Sequence, residues 1–471
     1  MRIIRLGVNG WQARYDDGFD DESVIRIADA LGLLWADKNP GATVLVGRDA
    51  RYHAEEYMEL LGSVLASYGL LVKVSDRPCP TPALAWCAAR DDACVGAVML
   101  TASESSCEYN GILVRGADGG AIAAGFREDV NRVMPNEATS SRGPIQHADF
   151  VTPYIEGILA DLDLATIRSV GFKVVADPMY GAAMDAIDPL MKGLGCSVSL
   201  LHAVPSADFV GIHPAPVEPW VDKCERQVLE RGAHCGIVLD GDADRATLID
   251  ERGRLVSRHN VVPLLLRHLV EHRGMDGRVV LTTATTTRMR REAELLDKPY
   301  TVVPVGFERI YEEVLEGDVL LASEEYGGVC IPTHLNERDG LFACLLVLEL
   351  MAVTRQSLAS LVDELPERLG PMEYLQKDIR MDGAALQRLR NLLPGFNPQS
   401  VAGRTPIAVS HADGARLDFD DGAWVQLRVS RGKPLARAYA EAPTHEACEE
   451  LLRETVRYAT EGGRALAPAA V

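Results

Sequence analysis

Short apolar runs, each followed by a stretch with helical spacing, recur along residues 1–370 and then give way to a different pattern. This alternation narrows the possible folds more than any other feature. "ATVLVGRDA" (42–50) has the character of a buried strand ending in a polar turn, and 52–69 continues with helically spaced apolar residues. "LVKVSD" and "GAVMLTAS" supply two further strands. The pattern repeats from "VGFKVVADP" (170–178) through "MDAIDPLMKGLG" to "HCGIVLDGD" (234–242). A third round runs from "RVVLTTATTT" (278–287) through "LLASEEYGG" (320–328) to "GLFACLLVLELMAVT" (340–354). Strands that alternate with helices predict parallel α/β layers. After "LPERLGPMEY" (365–374), short alternating strands separated by Asp-Gly turns lead into "HEACEELLRETVRYATEG", an antiparallel α+β pattern. The expected fold class is three similar mixed α/β domains plus a C-terminal α+β domain. The expected domains are 1–143, 144–253, 254–368 and 369–471.

A chain of 471 residues, 47% hydrophobic and 25% charged, exceeds what one compact core accommodates. Its formal net charge of -20 argues against nucleic acid or an anionic membrane surface as partner. The opening "MRIIRLGVNGW" lacks an apolar segment of signal type, and no run reaches the ~18 apolar residues of a membrane span. A cytoplasmic protein, monomer or homodimer, is expected. The ten cysteines form no C-x-x-C pair, so they read as reduced thiols rather than zinc ligands or disulfides.

Four loops have the composition of a functional site. In "IVLDGDADRATLID" (237–250) a hydrophobic strand delivers Asp240, Asp242 and Asp244 at alternate positions. Carboxylates this crowded repel unless a hard cation such as magnesium or calcium neutralises them, and the loop lacks the length and late Glu of an EF-hand. Arg245 is placed to orient a phosphate. The other reading is an acidic turn capping backbone amides. Ser103, in "LTASESSCEYNGILV" (100–114), is by itself either a turn or helix-cap residue or a nucleophile, with no G-x-S-x-G elbow around it. Beside a divalent-cation loop it makes sense as a phosphate carrier. "ASEEYGG" (322–328) sets Glu324 and Glu325 at a strand end, suited to sugar hydroxyls or else a solvated acidic loop. "RVSRGKPLARAY" (428–439) gathers Arg428, Ser430, Arg431, Lys433 and Arg437 around Gly432, a phosphate-holding loop or else a solvated basic turn.

Taken in order, these loops make the chain resemble the alpha-D-phosphohexomutase superfamily, the phosphomannomutases and phosphoglucomutases, over essentially its full length. "LGVNGWQA" (6–13) stands where the family has F-G-T-D-G-W-R-A. "TASESS" (101–106) and "NGIL" (110–113) stand for T-A-S-H-N-P and N-G-I-K, and "DGDADR" (240–245) matches D-G-D-x-D-R intact. "ASEEYGG" followed by "HLNERDG" (334–340) is similar to the sugar loop and its sequel, and "RVSRGKP" (428–434) to R-P-S-G-T-E-P. The resemblance implies four domains around a central cleft, each contributing one loop. It further implies a phosphosugar mutase, using magnesium and a sugar 1,6-bisphosphate intermediate that also serves as activator. Ser103 would carry the phosphoryl group and, with Asp240, Asp242 and Asp244, ligate magnesium; Arg245 would act at the reacting phosphate. Arg245, Glu324, Arg428 and Ser430 would contact substrate; by the composition of the same loops, Glu325, Tyr326, Arg431, Lys433 and Arg437 are further candidates to meet it.

Several positions depart from the family pattern. Gln12 stands for an arginine, Glu104 for the histidine after the serine, and Leu113 for the lysine that is the proton acceptor in many relatives. Glu308 stands for a lysine, Tyr326 for the sugar-loop serine, and Arg431, Gly432 and Lys433 for Gly-Thr-Glu. Glu104 is therefore the candidate base, since like charge on a neighbouring phosphoserine raises a carboxyl pKa. These changes leave two alternatives. One is another reaction on a phosphorylated sugar, nucleotide or phosphonate, either phosphorylation followed by elimination or phosphohydrolysis. The other is a non-catalytic phosphosugar-binding protein.

Overall fold

The computed structural model describes residues 3–8, 10–430 and 434–461. Four sheets follow one another along the chain. The first has the spatial order Trp11–Arg14, Tyr109–Gly116, Cys94–Leu100, Thr43–Arg48, Leu71–Ser75 and Ile145–Ala148. The last of these strands lies just past the expected 143/144 break, yet it pairs in parallel with Leu71–Ser75. The second sheet is ordered Leu255–Val256, Ala246–Asp250, Cys235–Leu239, Lys173–Asp177, Ser197–Leu200. The third is ordered Tyr300–Val303, Arg278–Thr282, Val319–Ser323, Val329–Ile331, Leu335–Arg338.

The three sheets are mixed, as expected: the parallel layers predicted from the alternation form, and each sheet also carries an antiparallel edge. The reason is loop length. Strand Cys94–Leu100 runs parallel to Thr43–Arg48 but is followed only by residues 101–108 before Tyr109–Gly116. A parallel crossover needs a dozen or more residues, so the chain turns straight back. Residues 240–245 after Cys235–Leu239 and residues 324–328 after Val319–Ser323 do the same. The serine, aspartate and glutamate loops are thus the same structural event three times, a tight antiparallel return from a strand paired in parallel on its other side.

The fourth sheet, ordered Glu373–Arg380, Leu435–Ala442, Trp424–Val429, Ala415–Asp418, Ala408–Ser410, is antiparallel throughout as expected, and helix His445–Glu461 packs on it. Helix Gly340–Thr354 is buried from Gly340 to Ala352 and belongs to the largest apolar cluster, which runs through the first three sheets. Its start is fixed by Asp339, which accepts from the Phe342 amide at 2.8 Å and from the Tyr154 hydroxyl at 2.9 Å. Its one buried acid, Glu349, accepts from His268, Arg273 and the Asp163 amide, and these partners hold its carboxyl down at about 2 although burial opposes them. All ten cysteines are free thiols, and no single described helix is long and apolar enough to cross a membrane.

Candidate active site

Ser103 sits at the tip of the first return loop with φ +50°, a conformation that a residue with a Cβ adopts only when its surroundings impose it. Arg51 is the residue that imposes it. It leaves the end of strand Thr43–Arg48, pairs with Asp49 at 2.9 Å with both side chains buried, and donates to the backbone carbonyls of Ser103 (2.5 Å), Ser105 (2.8 Å), Ser106 (2.7 Å) and Tyr109 (3.2 Å). Asp49 also accepts from the Thr101 hydroxyl at 2.7 Å, and Thr101 in turn accepts from the Ser103 amide at 2.9 Å. One buried guanidinium therefore shapes the whole loop.

The Ser103 hydroxyl donates to Asp240 Oδ2 at 2.9 Å and accepts from Arg245 Nη2 at 2.6 Å. These contacts join the first and second sheets. Gly241 makes the approach possible, because a Cβ there would lie 2.5 Å from the Ser103 carbonyl oxygen. Arg245 also donates to Asp240 (2.9 Å), Asp244 (3.2 Å) and Glu104 (2.7 Å). Its guanidinium is the hub between the serine loop and the aspartate loop.

Asp240, Asp242 and Asp244 are buried, and one oxygen of each lies within 4.8 Å of the others. Thr81 donates to Asp242 Oδ2 at 2.7 Å, while Asp242 Oδ1 is buried without a hydrogen-bond partner. A buried acceptor without a donor is costly, and a hard cation with oxygen ligands is the chemistry that completes this set. The site therefore fits magnesium. Burial pushes the Asp240 carboxyl well above its ordinary value against the pull of Arg245, and burial with Asp244 as neighbour pushes Asp242 to about 7. Burial acts the same way on Asp244, but Arg338, Arg245 and Arg115 outweigh it and hold that carboxyl below the ordinary range.

The third loop brings Glu324 to this cluster. Arg338 Nη1 lies 3.1 Å from Glu324, and Arg338 Nη2 lies 2.6 Å from Asp244. Burial raises the Glu324 carboxyl to about 6, with Arg338 opposing. Glu325, expected on substrate, points elsewhere: it is fully buried and accepts from Tyr439 (3.1 Å) and Thr282 (3.3 Å), which fastens the third sheet to the fourth. Tyr326 also reaches the fourth sheet, with the Arg437 guanidinium 4.3 Å from its ring centre and that of Arg258 5.2 Å away. Its hydroxyl is buried without a partner. Arg437 forks onto Asp378 at 2.5 and 3.2 Å, and Arg428 is buried against Asp413 at 2.9 Å. These two cations are committed to the C-terminal domain, while the Ser430 amide donates to the Leu435 carbonyl at 2.9 Å. Arg431 and Lys433 lie outside the described residues.

The departures are placed as follows. Leu113 is buried in the core opposite Met99, out of reach of proton chemistry. Glu308 pairs with Arg127 and ties helix Phe307–Leu315 to helix Ala124–Val133. Gln12 accepts from Ser105 at a long 3.4 Å. Sequence reasoning missed Arg51, Asp49, Thr81 and Arg338. "GRDAR" directly after a buried strand was the available signal for the first two.

Three mixed α/β sheets and an antiparallel C-terminal sheet, with the return loops of the first three joined around one serine and a carboxylate triad, define a multidomain α/β enzyme. The descriptions "Phosphoglucomutase/phosphomannomutase, alpha/beta/alpha domain" I, II and III match residues 4–140, 152–253 and 258–369. The chain belongs to this family, in the phosphohexomutase superfamily of intramolecular phosphotransferases. It is 29% identical over 459 residues to a phosphoglucomutase/phosphomannomutase of Thermococcus kodakarensis, covering 95% of this chain and 96% of that one. It is 26% identical over 468 residues to a phosphoglucosamine mutase of Moorella thermoacetica, covering 97% and 99%. The crystal structure of a candidate phosphomannomutase from Thermus thermophilus superposes with a TM-score of 0.87 at 30% identity, covering 98% of this chain and all of that one.

Proposed function

We propose that this chain is a magnesium-dependent phosphosugar mutase that carries phosphate on Ser103 and passes through a sugar bisphosphate. The observation that carries the reading is the Ser103 hydroxyl, held at 2.9 Å from Asp240 and 2.6 Å from Arg245 at the edge of a buried triad with an unsatisfied oxygen. Asp240, Asp242 and Asp244, joined by an oxygen of phospho-Ser103, would hold the magnesium ion. That ion supplies charge neutralisation at the phosphoryl group.

The chain's own groups do the rest. When the bond from Ser103 Oγ to phosphorus breaks and a sugar hydroxyl oxygen bonds to phosphorus, Arg245 Nη2 offsets charge left on Oγ, and Glu104 takes the hydroxyl proton. Glu104 and the Ser103 hydroxyl share the Arg245 guanidinium, which supports this role. Glu324 reads sugar hydroxyls, while Glu325 fastens the third domain to the fourth, and Arg428 and Arg437 are braced within the fourth. Ser430, Arg431 and Lys433 receive the substrate's second phosphate. The names of the relatives point to hexose or hexosamine phosphates as the substrate class.

Leu113 in the core and Glu308 on Arg127 favour a second reading, in which phosphate is transferred but the intermediate is not turned around. The reaction would then end in hydrolysis or elimination. Peptide mass spectrometry of Ser103, combined with phosphorus NMR of a panel of glucose, mannose and glucosamine phosphates with magnesium, separates the two. The mutase reading expects phospho-Ser103 and interconversion of 1- and 6-phosphates, abolished in Ser103→Ala and reduced at least about 100-fold in Glu104→Gln. Release of inorganic phosphate without interconversion overturns it in favour of the second reading, and an unchanged rate in Glu104→Gln removes that residue as base.

A further inference from the structure

Each nitrogen of the Arg338 guanidinium faces a different carboxylate. Nη2 lies 2.6 Å from Asp244 of the aspartate loop, Nη1 lies 3.1 Å from Glu324 of the glutamate loop, and Nε lies 3.1 Å from Glu337. The ring of Phe307 supports the guanidinium, with its centre 4.9 Å away. Gly328 leaves room for the side-chain stem, since a Cβ there would come within 2.5 Å of Arg338 Cδ. Glu337 is itself fully buried and shared with Arg115 of the first sheet. Arg338 thus stands between the triad and Glu324, on a strand that belongs to neither loop.

We propose that Arg338 is a positioning residue that couples divalent-cation binding at the aspartate triad to the orientation of Glu324. The proposal rests on the reading of the triad as a divalent site. One guanidinium charge is divided between Asp244 and Glu324. A cation on Asp244 takes over the neutralisation of that carboxylate, and Arg338 then holds Glu324 more firmly. The sugar-facing carboxylate is fixed in place when the metal is bound. By linkage, whatever changes the grip of Arg338 on Glu324 changes the affinity of the triad for metal by the same factor.

The test uses Mn2+ alone, its binding to the full chain followed by electron paramagnetic resonance, in a cycle of wild type, Arg338→Met, Glu324→Gln and the double variant. Arg338→Met removes a positive charge beside the triad, so Mn2+ binds about tenfold more tightly. Glu324→Gln in the wild-type background returns Arg338 to Asp244 and weakens Mn2+ binding about threefold or more, and in the Arg338→Met background that effect shrinks markedly. Arg338→Lys keeps the charge but cannot reach three carboxylates, so Mn2+ affinity stays near wild type while the Glu324 effect again shrinks. Should Arg338→Met not fold, the Arg338→Lys cycle decides alone. An equal Glu324→Gln effect with and without the native Arg338 overturns the coupling and leaves the metal reading intact. Failure of wild type to bind Mn2+ overturns both.

Discussion

Arg51→Met is the substitution for which the structure makes the sharpest demand. It leaves the buried Asp49 carboxylate without its guanidinium partner and withdraws donors from four backbone carbonyls of the serine loop. Removing one partner of a buried ion pair costs about 3–5 kcal/mol, and lost hydrogen bonds to a charged donor add to it, less where water reaches the part-buried carbonyls. The expected loss is about 4–6 kcal/mol, a large share of the ~5–15 kcal/mol that holds a domain folded. Urea denaturation gives the loss, and hydrogen exchange across residues 101–109 locates it. The loss also depends on pH. Burial already raises Asp49 against the pull of Arg51, and removing Arg51 raises it further. A carboxyl whose folded pKa exceeds its unfolded value binds more protons when folded, so its penalty is small below the unfolded pKa near 4 and grows as pH rises through the folded one. The deficit of Arg51→Met therefore shrinks on acidification, and Asp49→Asn/Arg51→Met, which removes the charge, recovers part of it at neutral pH. A stability within about 1 kcal/mol of wild type, with loop protection unchanged, refutes the view that this guanidinium shapes the loop.

Two further outcomes follow from the triad and its neighbour. With Asp242 titrating at about 7, magnesium affinity falls as pH drops from 8 to 6, while the chelator-treated protein gains stability over the same change, and Asp242→Asn flattens that pH response; thermal melts with magnesium and with chelator read both. Gly241→Ala drives a methyl group against the Ser103 carbonyl and lowers turnover and Ser103 phosphorylation together, by about 100-fold or more, with little effect on the far-ultraviolet circular dichroism spectrum.

Much of the fold was legible because periodicity reports burial. Helix Gly340–Thr354 falls on the residues expected, and the Asp-Gly turns of the tail do mark antiparallel strands. The direction of the return strands was not legible from periodicity, since a strand buried on both faces looks the same whichever way it runs. Loop length carried that information, in residues 101–108, 240–245 and 324–328. Within the site, local spacing was enough to propose the three aspartates, whereas Ser103 became a candidate only when read beside their loop. Glu325 and Arg437 have residue types expected at a substrate, and only their partners show that Glu325 joins the third sheet to Tyr439 of the fourth while Arg437 pairs with Asp378 within the fourth.

The sequence by itself determined the succession of three α/β units and one α+β unit, the serine and aspartate loops, and the replacement of cationic family positions by Gln12, Glu104, Leu113 and Glu308. These are properties of residue type and short-range spacing. Tertiary structure alone decided that Arg51 shapes the serine loop, that Arg245 joins serine to aspartates, and that Arg338 divides itself between Asp244 and Glu324. A guanidinium reaches several partners at once from any point in the chain, so its role is set by which loops packing brings within about 3 Å of it.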